Sequence, residues 1–263
     1  VHAVGTADAA RDARGDGGRV TLDLDLDLRA SARAERVAID APAHLRAAAI
    51  ETWRARMINE HASSRVFGAL ACQLDRCGFE EDANEARTFA DEERRHGVLC
   101  GAVVESLGGD ARGALFEAPE FPLHTDVPPR AALLRNVISI CCMSETVAVA
   151  LIGAERLEMP EKSPLRALLT RIWADEIGHA RFGWRLLERH ARSLVCAERD
   201  AIRAYLPIAF DHLVAHEHAH IPAHGAPVGG EALGLCSGID ARALLDETID
   251  EVIAPRIQDL LAR

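Results

Sequence analysis

The chain divides by the period of its hydrophobic positions. Residues 1–40 show no helical period, although TLDLDLDLRA, residues 21–30, alternates Leu with Asp as a strand would. A strand without a partner is unstable, so residues 1–40 are expected to form a flexible or extended arm. Residues 41–263 are expected to form the folded domain.

From Asp40 onward the apolar positions recur every three or four residues. A first helix, with Pro42 in its first turn, is predicted to run to Cys77 and stop at Gly78. Its inner stripe is Trp53, Met57, Glu60, Ser64, Phe67 and Ala71. A second runs from Glu81 to Leu107 with the stripe Phe89, Glu93, His96, Cys100 and Val103, and stops at Gly108-Gly109. Residues 110–129 hold four prolines and no period, a connection too long for a tight helical hairpin. A third helix, 130–158, is apolar nearly all round at VISICCMSETVAVALIGA and is expected to be the most buried. Ser163 and Pro164 open a fourth, reaching Leu194. A fifth, 197–220, should break or kink at Pro207, and a sixth, 240–261, should bend at Pro255. The pattern predicts an all-α fold.

Composition agrees. Hydrophobic residues make up 49% of the chain but aromatics only 4%, so the core must be built from Ala, Leu, Val and Ile, a helix-favouring set. The net charge of -11 argues against general nucleic-acid binding. The cysteines (Cys72, Cys77, Cys100, Cys141, Cys142, Cys196 and Cys236) form no CxxC pair and read as free thiols of a reducing compartment. No uncharged apolar stretch reaches membrane-spanning length and no signal-peptide order is present, so no membrane partner and a cytoplasmic location are expected.

The candidate chemistry lies in a repeated phrase. ADEERRHG contains Glu92, Glu93 and His96; WADEIGHARFGW contains Asp175, Glu176 and His179. Glu and His three positions apart share a helix face and can reach one point in space. Carboxylate oxygen and imidazole nitrogen are good ligands for iron, manganese or zinc. Chance alone supplies about one Glu-x-x-His in such a chain, and a third copy, Glu217/His220, also occurs.

Context separates the copies. Each of the first two sits mid-helix and follows a helix with an acid on its apolar stripe: Glu60 lies 33 residues before Glu93, and Glu145 lies 31 before Glu176. Glu145, inside CCMSETVAVALI, would cost several kcal/mol to bury as a bare carboxylate. Four acids gathered together would repel one another unless cations neutralised them, and two divalent ions balance four carboxylates.

At these residues the chain resembles the ferritin-like di-iron carboxylate superfamily, whose ligands follow the order Glu, Glu-x-x-His, Glu, Glu-x-x-His. The resemblance covers residues 44–194, including the long connection. It implies a four-helix bundle with one long crossover, plus two additional C-terminal helices in this chain. It implies metal ligation by Glu60, Glu93, His96, Glu145, Glu176 and His179, with Glu93 and Glu176 bridging and Glu60 and Glu145 terminal. Glu92 and Asp175 resemble the acids that orient the opposite histidine through its other ring nitrogen. Two iron ions, with manganese an option at either position, and O2 as co-substrate follow from the same likeness.

Other residues have blander readings. His212, His216 and His220 line one helix face and could hold another metal, but with no acid-bearing partner helix evident an exposed polar face or packing near the bundle end is the expectation. His61 points about 100° away from Glu60 and is expected to be structural. Cys100 and Cys141, one turn from His96 and Glu145, are expected to be apolar filler.

The resemblance implies an oxidase or oxygenase acting on a small organic substrate, with ferroxidase or iron handling as the alternative. No flavin or iron–sulfur motif is present, so electrons are expected from a separate reductase; homodimerisation is compatible with the fold. The missing CxxC pairs exclude an attached rubredoxin-like domain. Cys100 occupies the place of the radical tyrosine in ribonucleotide reductase small subunits, and Tyr205 is the sole tyrosine. Length and spacing are similar to the p-aminobenzoate N-oxygenase group, but Ile172 stands where that group has an extra histidine ligand.

Overall fold

The computed structural model of the chain describes residues 25–115 and 121–262. The stripe predicted for the first helix is the inner face of α2, Ala43–Arg76, where Trp53, Met57, Ser64, Phe67 and Ala71 are buried. Gly78 ends it at φ 79°. There the Gly78 N–H donates to the Asp75 carbonyl at 2.9 Å and the Phe79 N–H to the Leu74 carbonyl at 3.0 Å. This closes the helix in a left-handed cap that suits glycine. The chain reverses into α3, Glu80–Ser106, which packs along α2.

A second pair mirrors the first. α4 (Pro129–Val137), a π-helical stretch (Ile138–Ser144) and α5 (Glu145–Glu158) follow one another directly. α6 (Pro164–Ala191) folds back on them; the Ser163 hydroxyl caps it by accepting the Leu165 N–H at 3.2 Å. The approach is close because of Gly183. A Cβ there would lie 2.3 Å from the Cys141 Cβ and 2.9 Å from the Cys141 carbonyl carbon.

The α4–α5 run departs from expectation in two ways. Ala131 to Ile138 are buried, but every residue from Ala148 to Ala154 is partly exposed, so only the first half is a core helix on all sides. By length and composition the run Pro129–Glu158 could also cross a membrane, which corrects the expectation that no such segment exists. The buried acid Glu145 and the contact with α6 give it the position of a bundle helix.

α7 (Cys196–His220) runs unbroken through Pro207, whose ring lies on the exposed side. α8 (Gly238–Glu247), a π-helical stretch (Thr248–Ile253) and α9 (Ala254–Ala262) complete the chain. The wider turn lies just ahead of Pro255, where the missing N–H breaks the helical ladder.

The alternating N-terminal run has a partner after all. β1 (Asp25–Asp27) pairs antiparallel with β2 (Arg112–Ala114), and buried Leu26 lies opposite Gly113. The first part of that run, residues 21–24, lies outside the described residues. The sequence concealed the pairing because β2 is three residues long, contains a glycine and sits in the proline-rich connection. α1 (Arg29–Ala34) then lies on α3, where Arg33 and Arg36 each reach Glu105 at 2.8 Å.

The core divides into two apolar clusters. One holds Phe67, Leu70, Phe89, Cys141 and Phe182; the other holds Trp53, Met57, Cys100, Leu169 and Ile172. Along α2, α3 and α6 the change from one cluster to the other falls at Glu60, at Glu93 and His96, and at Glu176 and His179. The two apolar cores therefore enclose a polar belt.

Candidate metal centre

The belt brings all six sequence-predicted ligands together. Ligand atoms of Glu60, Glu93, His96 and Glu176 lie within 4.8 Å of one another, as do those of Glu93, Glu145, Glu176 and His179. The two groups share Glu93 and Glu176. They are deep: His96 and His179 are 0% exposed, Glu93 2%, Glu176 3% and Glu145 7%. The Glu60 side chain, at 16%, is the one nearest solvent.

Each imidazole has an inner and an outer nitrogen. His96 Nδ1 faces Glu176 at 3.3 Å, Glu60 at 3.6 Å and Glu93 at 3.9 Å. Despite that setting it has no hydrogen-bond partner among the described residues, an unusual state for a fully buried polar atom. Its Nε2 lies 3.0 Å from Asp175 Oδ2, and Arg95 donates to the same oxygen at 2.7 Å. His179 repeats the arrangement. Nδ1 faces Glu93 and Glu176 at 3.1 Å and Glu145 at 3.7 Å, while Nε2 meets Glu92 Oε2 at 3.0 Å. A carboxylate at Nε2 holds the proton there and leaves the Nδ1 lone pair aimed inward, as metal ligation requires.

Electrostatics supply a further test of fit. Burial pushes the Glu145 carboxyl up to about 8, and Glu176 beside it adds to the rise. Burial and Glu176 likewise push Glu93 well up. Burial opposes protonation of His96, but Glu176 and Glu60 outweigh it and raise the ring to about 11. Burial also opposes protonation of His179, and Glu145, Glu176 and Glu93 raise it further still. Glu176 goes the other way: burial raises it, but His179, His96 and Glu145 hold it well below the usual carboxylate range. Four carboxylates and two imidazoles thus crowd one buried space with their ionisation in mutual conflict, a conflict that two divalent cations would relieve, so the donor set fits a two-metal centre.

The surroundings are unequal. His179 sits in an aromatic cup, with the Phe89 ring centroid 4.5 Å away and Phe67 5.1 Å away. His96 has no aromatic neighbour of that kind among the described residues; its outer contact ends at surface Arg95, half exposed in its side chain. Cys100 and Cys141 are fully buried on the two sides of the belt. The sequence reading missed Arg95 and the aromatic cup, because nothing in a single chain marks contacts made across some 80 residues. The π-helical stretch before Glu145 was also missed; such turns recur at functional sites, but ISICCMS carries no recognisable signal for one.

The third Glu-x-x-His adds nothing to this cluster: Glu217 and His220 lie on α7, and neither belongs to the buried groups. His61 is half-buried beside Glu60, and its Nδ1 has no hydrogen-bond partner among the described residues.

No family model matches the chain, and no curated protein matches it. Among solved structures, a Synechococcus protein described as protein 19 with aldehyde deformylating oxidase activity has a similar fold. The two agree with a TM-score of 0.51 at 16% identity, over 90% of this chain and 94% of that one. At that identity the likeness concerns the fold. The chain is an all-α protein of ferritin-like fold, and its carboxylate–histidine cluster fits a site for two metal ions.

Proposed function

We propose that this protein is a di-iron, or iron–manganese, carboxylate oxidoreductase that uses O2 to oxidise or oxygenate a small organic substrate. The observation that carries the reading is the paired cluster itself. Two four-residue ligand groups share Glu93 and Glu176, with both imidazoles turned inward by acids from the opposite helix. In this reading Glu60, Glu93, His96 and Glu176 would hold one metal ion, and Glu93, Glu145, Glu176 and His179 the other. When bound, such metals would supply the redox chemistry for reaction with O2.

The chain's own residues do the rest. Asp175 and Glu92 fix the ring orientations and hold the Nε2 protons. Phe67, Phe89 and Phe182 exclude water around His179. Glu60, the most solvent-accessible of the six, marks the side from which small molecules reach the centre. Because the similarly folded Synechococcus protein is named for aldehyde deformylating oxidase activity, aldehydes are the first substrate class to screen. Electrons come from a separate reductase, and the cytoplasm is the compartment in which the thiols stay reduced.

The test begins with metal analysis, followed by anaerobic Fe(II) loading and rapid mixing with O2. About two irons per chain, with a transient visible absorbance absent from Glu145→Ala, supports the proposal. Continuous iron turnover with mineral formation favours iron handling. No stoichiometric metal in either protein overturns both.

A further inference from the structure

A second candidate site lies on α7, whose residues take no part in the buried cluster. His212, His216 and His220 recur every four residues, and all three are exposed. Their rings form a ladder. His212 and His216 are stacked at 6.3 Å between centroids with an interplanar angle of 14°, and His216 and His220 approach to 4.4 Å.

The ladder is held in place from both ends of the last pair. His220 Nδ1 donates to the His216 backbone carbonyl at 2.8 Å, so its proton is on Nδ1 and the Nε2 lone pair is free. That contact fixes the tautomer and ring orientation as the acids do for the buried histidines. Arg242 on α8 donates to the carbonyls of His218 at 3.0 Å and Ile221 at 2.8 Å. It thereby secures the C-terminal turn that carries His220. Imidazoles one turn apart on an ordered helix need little rearrangement to place two nitrogens about 2.0–2.1 Å from one ion.

From this geometry we infer that His216 and His220 form a surface site for a late first-row divalent cation, with the His212 ring stacked on His216 as its support. The donor set is nitrogen without carboxylate. It therefore selects for Zn2+, Ni2+ or Cu2+ over the harder ions that suit oxygen ligands. Water completes the coordination on the solvent side. The site is independent of the buried centre and does not depend on the proposed oxidase activity.

The experiment titrates Zn2+ into the full chain and into the His216→Gln/His220→Gln double variant. Cu2+ electron paramagnetic resonance follows on the same two proteins. The wild type is expected to bind one Zn2+ per chain more than the variant and to show nitrogen hyperfine structure that the variant lacks. His212→Gln should weaken the site about 10-fold, the lower end of the range for losing one supporting contact. His218→Gln, on another face of α7, should change nothing. Because these residues are exposed, all variants should melt with the wild type in chelator, which separates lost binding from lost folding. Equal stoichiometry and equal spectra in wild type and double variant would overturn the inference, as would loss of the extra ion in His218→Gln alone.

Discussion

Asp175 on α6 and His96 on α3 stand 79 residues apart in the chain and meet at 3.0 Å, Oδ2 to Nε2. Glu92 on α3 returns the contact to His179 on α6 at the same distance. Each helix thus positions the other's histidine, which ties the two halves of the candidate centre to one another. Removing such an orienting acid typically lowers metal affinity 10–100-fold. Asp175→Ala is therefore expected to weaken iron binding by that factor in a competition titration against a chelating dye. Unchanged affinity would show that ring orientation is fixed by packing alone.

At Glu145 burial and charge are in direct conflict. Glu145→Gln keeps the shape and removes an acid whose ionisation is opposed by burial and by Glu176. Iron stoichiometry should fall below the wild-type value, while in chelator the variant's denaturation midpoint should rise. A lower midpoint in chelator would mean that Glu145 is structural.

Gly183 sets the distance between α6 and the π-helical stretch. In Gly183→Ala the new methyl must displace the Cys141 backbone, whose carbonyl carbon would lie 2.9 Å away. Overpacking of this kind costs about 1–3 kcal/mol, measurable by urea denaturation. Because the strain falls within two turns of Glu145, iron affinity should drop as well. A variant as stable as the wild type would show that the two helices can slide apart freely.

Glu105 should make the N-terminal attachment sensitive to acid. Burial raises its carboxyl, but Arg33, the Ala111 N–H and Arg36 outweigh this and hold it below the usual range. A carboxyl with a lowered folded-state pKa stabilises above its unfolded value of about 4.3, and that contribution is lost as pH falls through the folded value. The protection factors of amides 29–36, with intrinsic exchange at each pH divided out, should therefore fall below about pH 4. In Glu105→Ala they should already be low at neutral pH. Protection factors independent of pH in the wild type would place the attachment in Leu26 and Ala32 packing instead.

The sequence by itself determined the helices and the candidate ligands. Stripes such as Trp53, Met57, Glu60, Ser64, Phe67 and Ala71 need only the helical period, and Glu93 and His96 need only their spacing of three. An acid at the centre of CCMSETVAVALI is legible because burying a lone carboxylate is costly wherever the helix goes. Tertiary structure alone decided what these residues meet. The β1–β2 pairing, the Asp175–His96 and Glu92–His179 contacts, the aromatic cup on His179 and the partial exposure of α5 all join segments far apart in the chain. Periodicity reports which face of an element is apolar; it carries no record of which other face will cover it. That is settled by the packing of helices against one another, where Gly183 on α6 accommodates Cys141.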